Sequence, residues 1–336
     1  MHTGLFHTID FDADGRVLDH LGVPFSVDRS PYFHVKVPVA RIRNGNGPSV
    51  LLLAGNHGDE YEGEFALARL IRRLDPARMK GAVTILPIAN APAVRASKRC
   101  SPLDGGNLNR AFPGDPDGTP TQRIADFLEH ELFPRHDVVF DLHSGGTAMA
   151  HLPCALIERH AEPARQQRAV ALMQALGLPY GFIADNGPAA PTSMGAAARA
   201  GIIGLSGEFG GGGTVTPATM RGASAAIDGL LLALGVIDAP LLGPAPAAGA
   251  MRLLSLARHS QAIYATAPGW FEPAVEVGAE VEAGDLAGWV HDLDRLEVAE
   301  APLRFAEAGV VISHRLHSRC EPGDCLIQVA EVLDAG

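Results

Sequence analysis

The sequence predicts an α/β fold with a mostly parallel central sheet and helices on both faces, followed by a small all-β unit of sandwich or barrel type. Three observations carry that expectation. Over residues 30–240, short apolar runs alternate with amphipathic stretches, as in a parallel sheet covered on both faces. A Pro/Ala/Gly-rich stretch at 241–250, LLGPAPAAGA, then interrupts the alternation and reads as a linker. Beyond it, short β-type runs follow one another between turn signals. A chain of 336 residues suggests about two domains. They are expected over 1–245, opening with a β segment at 1–48, and over 250–336.

Element by element, residues 32–43 (YFHVKVPVARIR) set Phe33, Val35, Val37 and Val39 at period two, a half-buried strand. NGNG, Asn44–Gly47, predicts a hairpin turn. SVLLLAG, Ser49–Gly55, is a continuous apolar run suited to a strand covered on both faces. Tyr61, Phe65, Leu67, Leu70, Ile71 and Leu74 then recur near helical spacing, with acids before them and arginines after, in keeping with the helix dipole. Strands are expected at 82–90, 137–142 and 201–206, and helices at 122–133, 165–177 and 218–235. In the last part, EAGDLAGWV and EPGDCLIQV form a weak internal repeat. That part resembles lipoyl- and biotinyl-type β modules, but the last lysine of the chain is Lys98. A cofactor carried on a hairpin lysine is therefore excluded, which leaves a structural or substrate-shaping role.

Composition narrows the function classes. Hydrophobic residues at 47% and charged residues at 19% describe a globular chain rather than a disordered one. A net charge of −11 without Lys/Arg blocks argues against nucleic acid and anionic membranes as partners. No apolar run is long enough to span a bilayer, and the N-terminus lacks the basic segment and apolar core of a signal peptide. The four cysteines, Cys100, Cys154, Cys320 and Cys325, follow neither a disulfide-scaffold nor a zinc-finger spacing. Reduced thiols and a cytoplasmic location are expected. An α/β enzyme of this size often self-associates, so a homo-oligomer is an open expectation.

Acidic and imidazole residues fall just after the expected strands, where the ligand crevice of an open α/β sheet lies. GNHGDEYEG (55–63) offers His57 and Glu60 three apart; DLHSGG (141–146) offers His143; SGEFGGGG (206–213) offers Glu208. Two histidines and a glutamate make the ligand set of a catalytic zinc, which keeps a coordination position for water. Such a metal lowers the pKa of water from about 16 to about 7. A carboxylate that is not a ligand must then move the proton, and Glu208 suits that work. Each residue has a plainer rival. Glu60 could be a first-turn acid of its helix, with Asp59 and Glu62 as competitors for its place. His20, His130, His136, His160, His259, His291, His314 and His317 read as ordinary surface or core histidines among the 14 in the chain. The glycines 210–213 lack the Gly-Lys-Ser/Thr ending of a phosphate loop. GLSG (204–207) fails as a nucleophile elbow, because Glu208 stands where a second glycine is needed.

GNHGDEYEG, NLNRAFPG, DLHSGG and GEFGGGG, in that order, resemble the succinylglutamate desuccinylase/aspartoacylase family, relatives of the zinc carboxypeptidases. The resemblance runs over most of the chain, including the C-terminal β part. Within the family, FDADGR, IRNGNGPSVLLLAGNHGDEYEGEFAL and SPLDGGNLNRAFPG look most like the ectoine-utilisation branch, N-α-acetyl-2,4-diaminobutyrate deacetylases. The resemblance implies one Zn2+ per chain on His57, Glu60 and His143, with Glu208 as general base. It implies Arg110, beside Asn109, as a clamp on the substrate's α-carboxylate, for which a guanidinium fork is suited. Arg99 is the candidate partner of the oxyanion. The implied reaction is deacylation of a small N-acyl amino acid. Desuccinylation is the alternative, for which Arg95, Arg199 or Arg221 could supply the added cation. Carboxypeptidase-like cleavage and a non-catalytic zinc or ligand-binding protein are further readings.

Overall fold

Strands with no solvent-facing side mark the centre of the molecule: every residue of Gly81–Leu86 and Val138–His143 is buried. The computed structural model describes residues 4–244 and 250–333. In chain order the first part holds strands β1 (Gly15–Pro24), β2 (His34–Asn44), β3 (Ser49–Ala54), β4 (Gly81–Leu86), β5 (Val138–His143), β6 (Met149–His151), β7 (Cys154–Glu158), β8 (Tyr180–Ala184) and β9 (Ile203–Glu208). Its helices are α1 (Tyr61–Arg73), α2 (Ala91–Arg95), α3 (Pro120–Phe127), α4 (Pro163–Ala175), α5 (Ser193–Ala200) and α6 (Pro217–Ala233). The last part is built of strands β10 (Arg252–Ser255), β11 (Ala262–Tyr264), β12 (Gly269–Pro273), β13 (Glu280–Val281), β14 (Leu286–His291), β15 (Ala301–Arg304), β16 (Gly309–Arg315), β17 (Arg319–Cys320) and β18 (Cys325–Val332).

The sheet order is β1-β2-β4-β3-β5-β9-β7-β8-β10-β18-β16-β13. β4, β3, β5 and β9 run parallel, as do β7, β8 and β10, whereas β7 is antiparallel to β9. Side chains of β3 alternate between the two faces. Val50, Leu52 and Ala54 pack with Leu67 and Leu70 of α1 and Ile227 and Leu230 of α6. Leu51 and Leu53 pack with Ile124 and Phe127 of α3 and Ala196 of α5. Helices thus cover both faces, as the pattern predicts.

The C-terminal strands are stitched to this sheet: β10 pairs with β8, β18 with β10, and β6 with β16. A second, antiparallel sheet, β15-β14-β12-β17, packs around Phe271, Ala287, Phe305 and Leu326. The internal repeat is real at the level of its turns. The Glu282 N–H donates to the Asp285 carboxylate and the Glu321 N–H to that of Asp324, both at 2.9 Å, ahead of β14 and β18. All four cysteines are free.

Several expectations are corrected. Asn44–Gly47 is a turn but not a hairpin, because β4 returns from α1 and inserts between β2 and β3. The strand expected at 82–90 ends at Leu86, where Ala89 and Asn90 donate instead to Ala54 and Gly55. The helix expected at 122–133 stops at Phe127 and continues as a π turn over Leu128–Leu132. Gly201 caps α5 in the left-handed region, at φ +69°, so the strand expected at 201–206 starts only at Ile203. Of the proposed linker, Leu241, Leu242 and Gly243 are pinned by their N–H groups to the buried Asp228 carboxylate, and 245–249 lies outside the described residues. Among the described residues, no helix is long and apolar enough to cross a membrane.

Candidate active site

The carboxyl ends of β3, β5 and β9 bring the distant motifs together. After β3 the chain turns at Gly55, whose φ of +66° is left-handed, and the Gly58 N–H donates to Lys98 O at 3.0 Å. A Cβ on Gly58 would meet the backbone of Ala93 at 2.0 Å, so only glycine lets the His57 turn approach the 93–98 segment this closely. Glu60 sits at the N-terminus of α1 but makes no capping bond. Its two oxygens go instead to His57 Nδ1 at 2.7 Å and His143 Nδ1 at 2.9 Å. Asp59 is committed elsewhere, accepting from Thr147 N and Oγ1 at 2.8 and 2.9 Å.

His143 ends β5, and its register partner on β9 is Glu208, so both side chains stand on one face at one edge. Asp141, two residues earlier on that face, lies 2.9 Å from His143 Nε2 and is fully buried. The same Asp141 oxygen accepts from Asn56 Nδ2 at 2.8 Å and Ser193 Oγ at 2.6 Å. His57 Nε2 lies 3.2 Å from Asn107 Oδ1. With the ε nitrogens engaged in this way, both histidines present Nδ1 to the Glu60 carboxylate. One ligand atom from each of His57, Glu60 and His143 lies within 4.8 Å of the others, and all three residues are buried. Two imidazoles and a carboxylate, all buried and converging, fit a divalent metal ion.

The electrostatics agree with a site built for positive charge. Burial pushes the Glu60 carboxyl up, but bonds to His143 and His57 outweigh it and hold the group well below the usual carboxylate range. Burial pulls His143 down, yet Asp141 and Glu60 raise it well above an ordinary imidazole. Glu208 goes the other way: burial, reinforced by the Glu60 charge, raises it. Its Oε2 is buried without a hydrogen-bond partner.

All seven residues singled out in the sequence, His57, Glu60, Arg99, Asn109, Arg110, His143 and Glu208, line one cavity of about 290 Å3. Arg99 is half-exposed with NH1 3.4 Å from Glu60 Oε1. Asn109 accepts the Ser193 N–H at 2.9 Å, and Arg110, exposed, donates to Asn109 O at 2.6 Å. Gly210–Gly213 let the chain pack against 145–151, where a Cβ on Gly211 would lie 1.9 Å from Met149 O. Arg95, Arg199 and Arg221 stay outside the cavity. Arg95 donates to Lys36 O, Arg199 is held by both oxygens of Glu129, and Arg221 lines a larger cleft of about 800 Å3 that has no histidine, cysteine or carboxylate in its wall. Sequence reasoning missed His151, Glu158 and Asn186, which line the same cavity, and Ser313 and Gln328, contributed by the C-terminal part.

Known proteins resemble this chain in sequence and in fold. The family model described as succinylglutamate desuccinylase/aspartoacylase catalytic domain matches residues 46–234. The chain is 38% identical over 328 residues to an N-alpha-acetyl-L-2,4-diaminobutyric acid deacetylase of Halomonas elongata, covering 98% of this chain and 95% of that protein. Among solved structures, a succinylglutamate desuccinylase/aspartoacylase from Rhodobacter sphaeroides superposes with a TM-score of 0.92 at 35% identity, covering 98% of this chain and all of that one. The product-bound ectoine utilization protein EutE (DoeB) from Ruegeria pomeroyi superposes with a TM-score of 0.92 at 34% identity, covering 98% and 99% of the two chains.

Proposed function

The chain belongs to the succinylglutamate desuccinylase/aspartoacylase family, and from that premise we propose that it deacetylates N-α-acetyl-L-2,4-diaminobutyrate, in the cytoplasm, with one zinc ion per chain. One observation carries the reading. His57, Glu60 and His143 converge within 4.8 Å, and the unpartnered Glu208 carboxylate opens on the same cavity. Zinc held by the three donors would supply Lewis acidity at the amide carbonyl and make hydroxide available near neutral pH.

The chain's own groups do the rest. Glu208 accepts a proton at its free Oε2 and returns it to the leaving amine; its raised pKa brings it toward the range a general base needs. Arg110, at the cavity wall, clamps the α-carboxylate with two parallel N–H bonds, with Asn109 beside it. Arg99 shares the negative charge that develops on the carbonyl oxygen. Asp141 and Asn107 orient the two histidines. The β unit at 250–336 closes the cavity with Ser313 and Gln328.

An acetyl group needs no cation of its own, whereas a succinyl carboxylate does. Among the described residues, the arginines in the cavity wall are Arg99 and Arg110, both already used. The deacetylase from Halomonas elongata supports the same substrate. The test is release of acetate and free amine from N-α-acetyl-L-2,4-diaminobutyrate, beside N-acetylaspartate and N-succinylglutamate. Turnover of the first alone is expected. Preference for either of the other two would replace the substrate, and stoichiometric zinc without turnover on any of the three would favour a binding protein.

A further inference from the structure

The product of the proposed reaction carries a second amine, and a buried ammonium needs a matching anion. We propose that Glu158 is that anion: the specificity residue that receives the side-chain ammonium of the substrate at the far end of the catalytic cavity. The inference rests on the substrate reading above.

Glu158 ends β7 and is 5% exposed, yet it lines the cavity. Its carboxylate is held by neutral donors. Oε2 accepts the N–H groups of Asn186 and Gly187, each at 3.1 Å, and Oε1 accepts Asn186 Nδ2 at 3.1 Å. Among the described residues, no arginine or lysine forms a salt bridge with it. Arg199, on the loop side, is spent on Glu129 and on the carbonyls of Pro188 and Ala190. A carboxylate fixed by three N–H bonds retains lone-pair capacity for one more donor. Arg110 stands with the metal ligands in the wall of the same cavity, suiting the substrate's own carboxylate.

The spacing also fits. Cys154 of β7 pairs with Glu208 of β9, and Glu158 lies four residues further along β7 on the same face. That is a separation of roughly 13 Å along the strand. From acyl carbon to terminal nitrogen an extended N-α-acetyl-2,4-diaminobutyrate measures roughly 6 Å, and hydrogen-bond reach of roughly 3 Å at each end brings the span to roughly 12 Å. Between the two carboxylates the wall is formed by Leu156 and Ser206, which offer no competing charge.

The experiment compares kcat/KM for N-α-acetyl-L-2,4-diaminobutyrate and for N-acetyl-L-norvaline, which has a methyl in place of the ammonium. Both are measured on the metal-loaded wild type and on Glu158→Gln. Glutamine keeps an oxygen for the two backbone N–H groups, and the Asn186 amide can rotate to meet its NH2, so the 185–187 turn is retained. The wild type is expected to prefer the cationic substrate. Glu158→Gln should lose on the order of thirtyfold or more on that substrate, chiefly in KM, while norvaline turnover stays within about threefold. An equal loss on both substrates, or an unchanged ratio, would overturn the assignment of Glu158 and leave the substrate reading standing. A wild type without preference for the cationic substrate would overturn both. Should Glu158→Gln fold poorly, inhibition of the wild type decides: 2,4-diaminobutyrate should compete at least tenfold more strongly than norvaline, and equal inhibition counts against Glu158.

Discussion

Replacing Asp141 by asparagine separates charge from shape in the candidate metal site. One Asp141 oxygen, Oδ2, serves Asn56, Ser193 and His143 together, at 2.8, 2.6 and 2.9 Å. An asparagine carbonyl in that position keeps all three contacts, so what disappears is the negative charge behind His143. Loss of such a carboxylate behind a metal-binding histidine typically costs 10- to 100-fold in metal affinity, or about 1.4–2.8 kcal/mol. Because those contacts survive, Asp141→Asn should fall near the lower end of that range, with a stability cost confined to the one NH2 that replaces the partnerless Oδ1, about 1–3 kcal/mol. Asp141→Ala is a different perturbation. It leaves three buried donors without an acceptor, at about 1–3 kcal/mol each, and should lower both metal affinity and stability. Competition for zinc against a chromophoric chelator, with urea unfolding alongside, reads both quantities. Wild-type zinc affinity in Asp141→Asn would refute the claim that this carboxylate supports the metal through His143.

Three further outcomes are expected. Glu208→Gln should bind zinc at wild-type stoichiometry while kcat falls by about 10²- to 10⁴-fold; near-normal turnover would remove Glu208 from the proton path. Gly58→Ala forces a Cβ into the Ala93 backbone, so zinc content should drop with little change in far-UV dichroism, and full zinc occupancy would show that the turn has slack. His136 is buried neutral: burial lowers its pKa from 6.5 to about 4, and its Nδ1–H donates to Leu132 O while Nε2 accepts from Thr84 Oγ1. The unfolded chain therefore takes up that proton first, so stability is full above pH 6.5 and falls by about 3 kcal/mol as pH drops toward 4. His136→Asn should flatten that part of the urea midpoint-versus-pH curve, and an unaltered slope would count against the assignment.

Much of the site could be read in the sequence because its residues follow a simple geometric rule. His57, His143 and Glu208 each come at or just after a buried apolar run, and parallel strands deliver their carboxyl ends to one edge. Glu158 escaped because β7 runs antiparallel to β9, which sends its carboxyl end to the opposite edge, where that rule does not look. β8 is five residues long and α5 only eight, too short for a periodic pattern to stand out. The hairpin expected at Asn44–Gly47 failed for a nonlocal reason. A turn motif specifies a local reversal, but a strand arriving after a 13-residue helix decided which neighbours pair. In the C-terminal part the turns were legible, whereas the pairing of β10 with β8 depends on contacts that no local pattern encodes.

The central claim is that His57, Glu60 and His143 hold a metal on which amide hydrolysis depends. The most direct measurement is zinc content and N-α-acetyl-L-2,4-diaminobutyrate turnover on the same sample, before and after exhaustive chelation and after zinc is added back. The account predicts one zinc per chain, loss of activity with the metal, and recovery saturating at one equivalent. It also predicts that His143→Ala neither retains zinc nor recovers. Undiminished turnover by metal-free protein would contradict it.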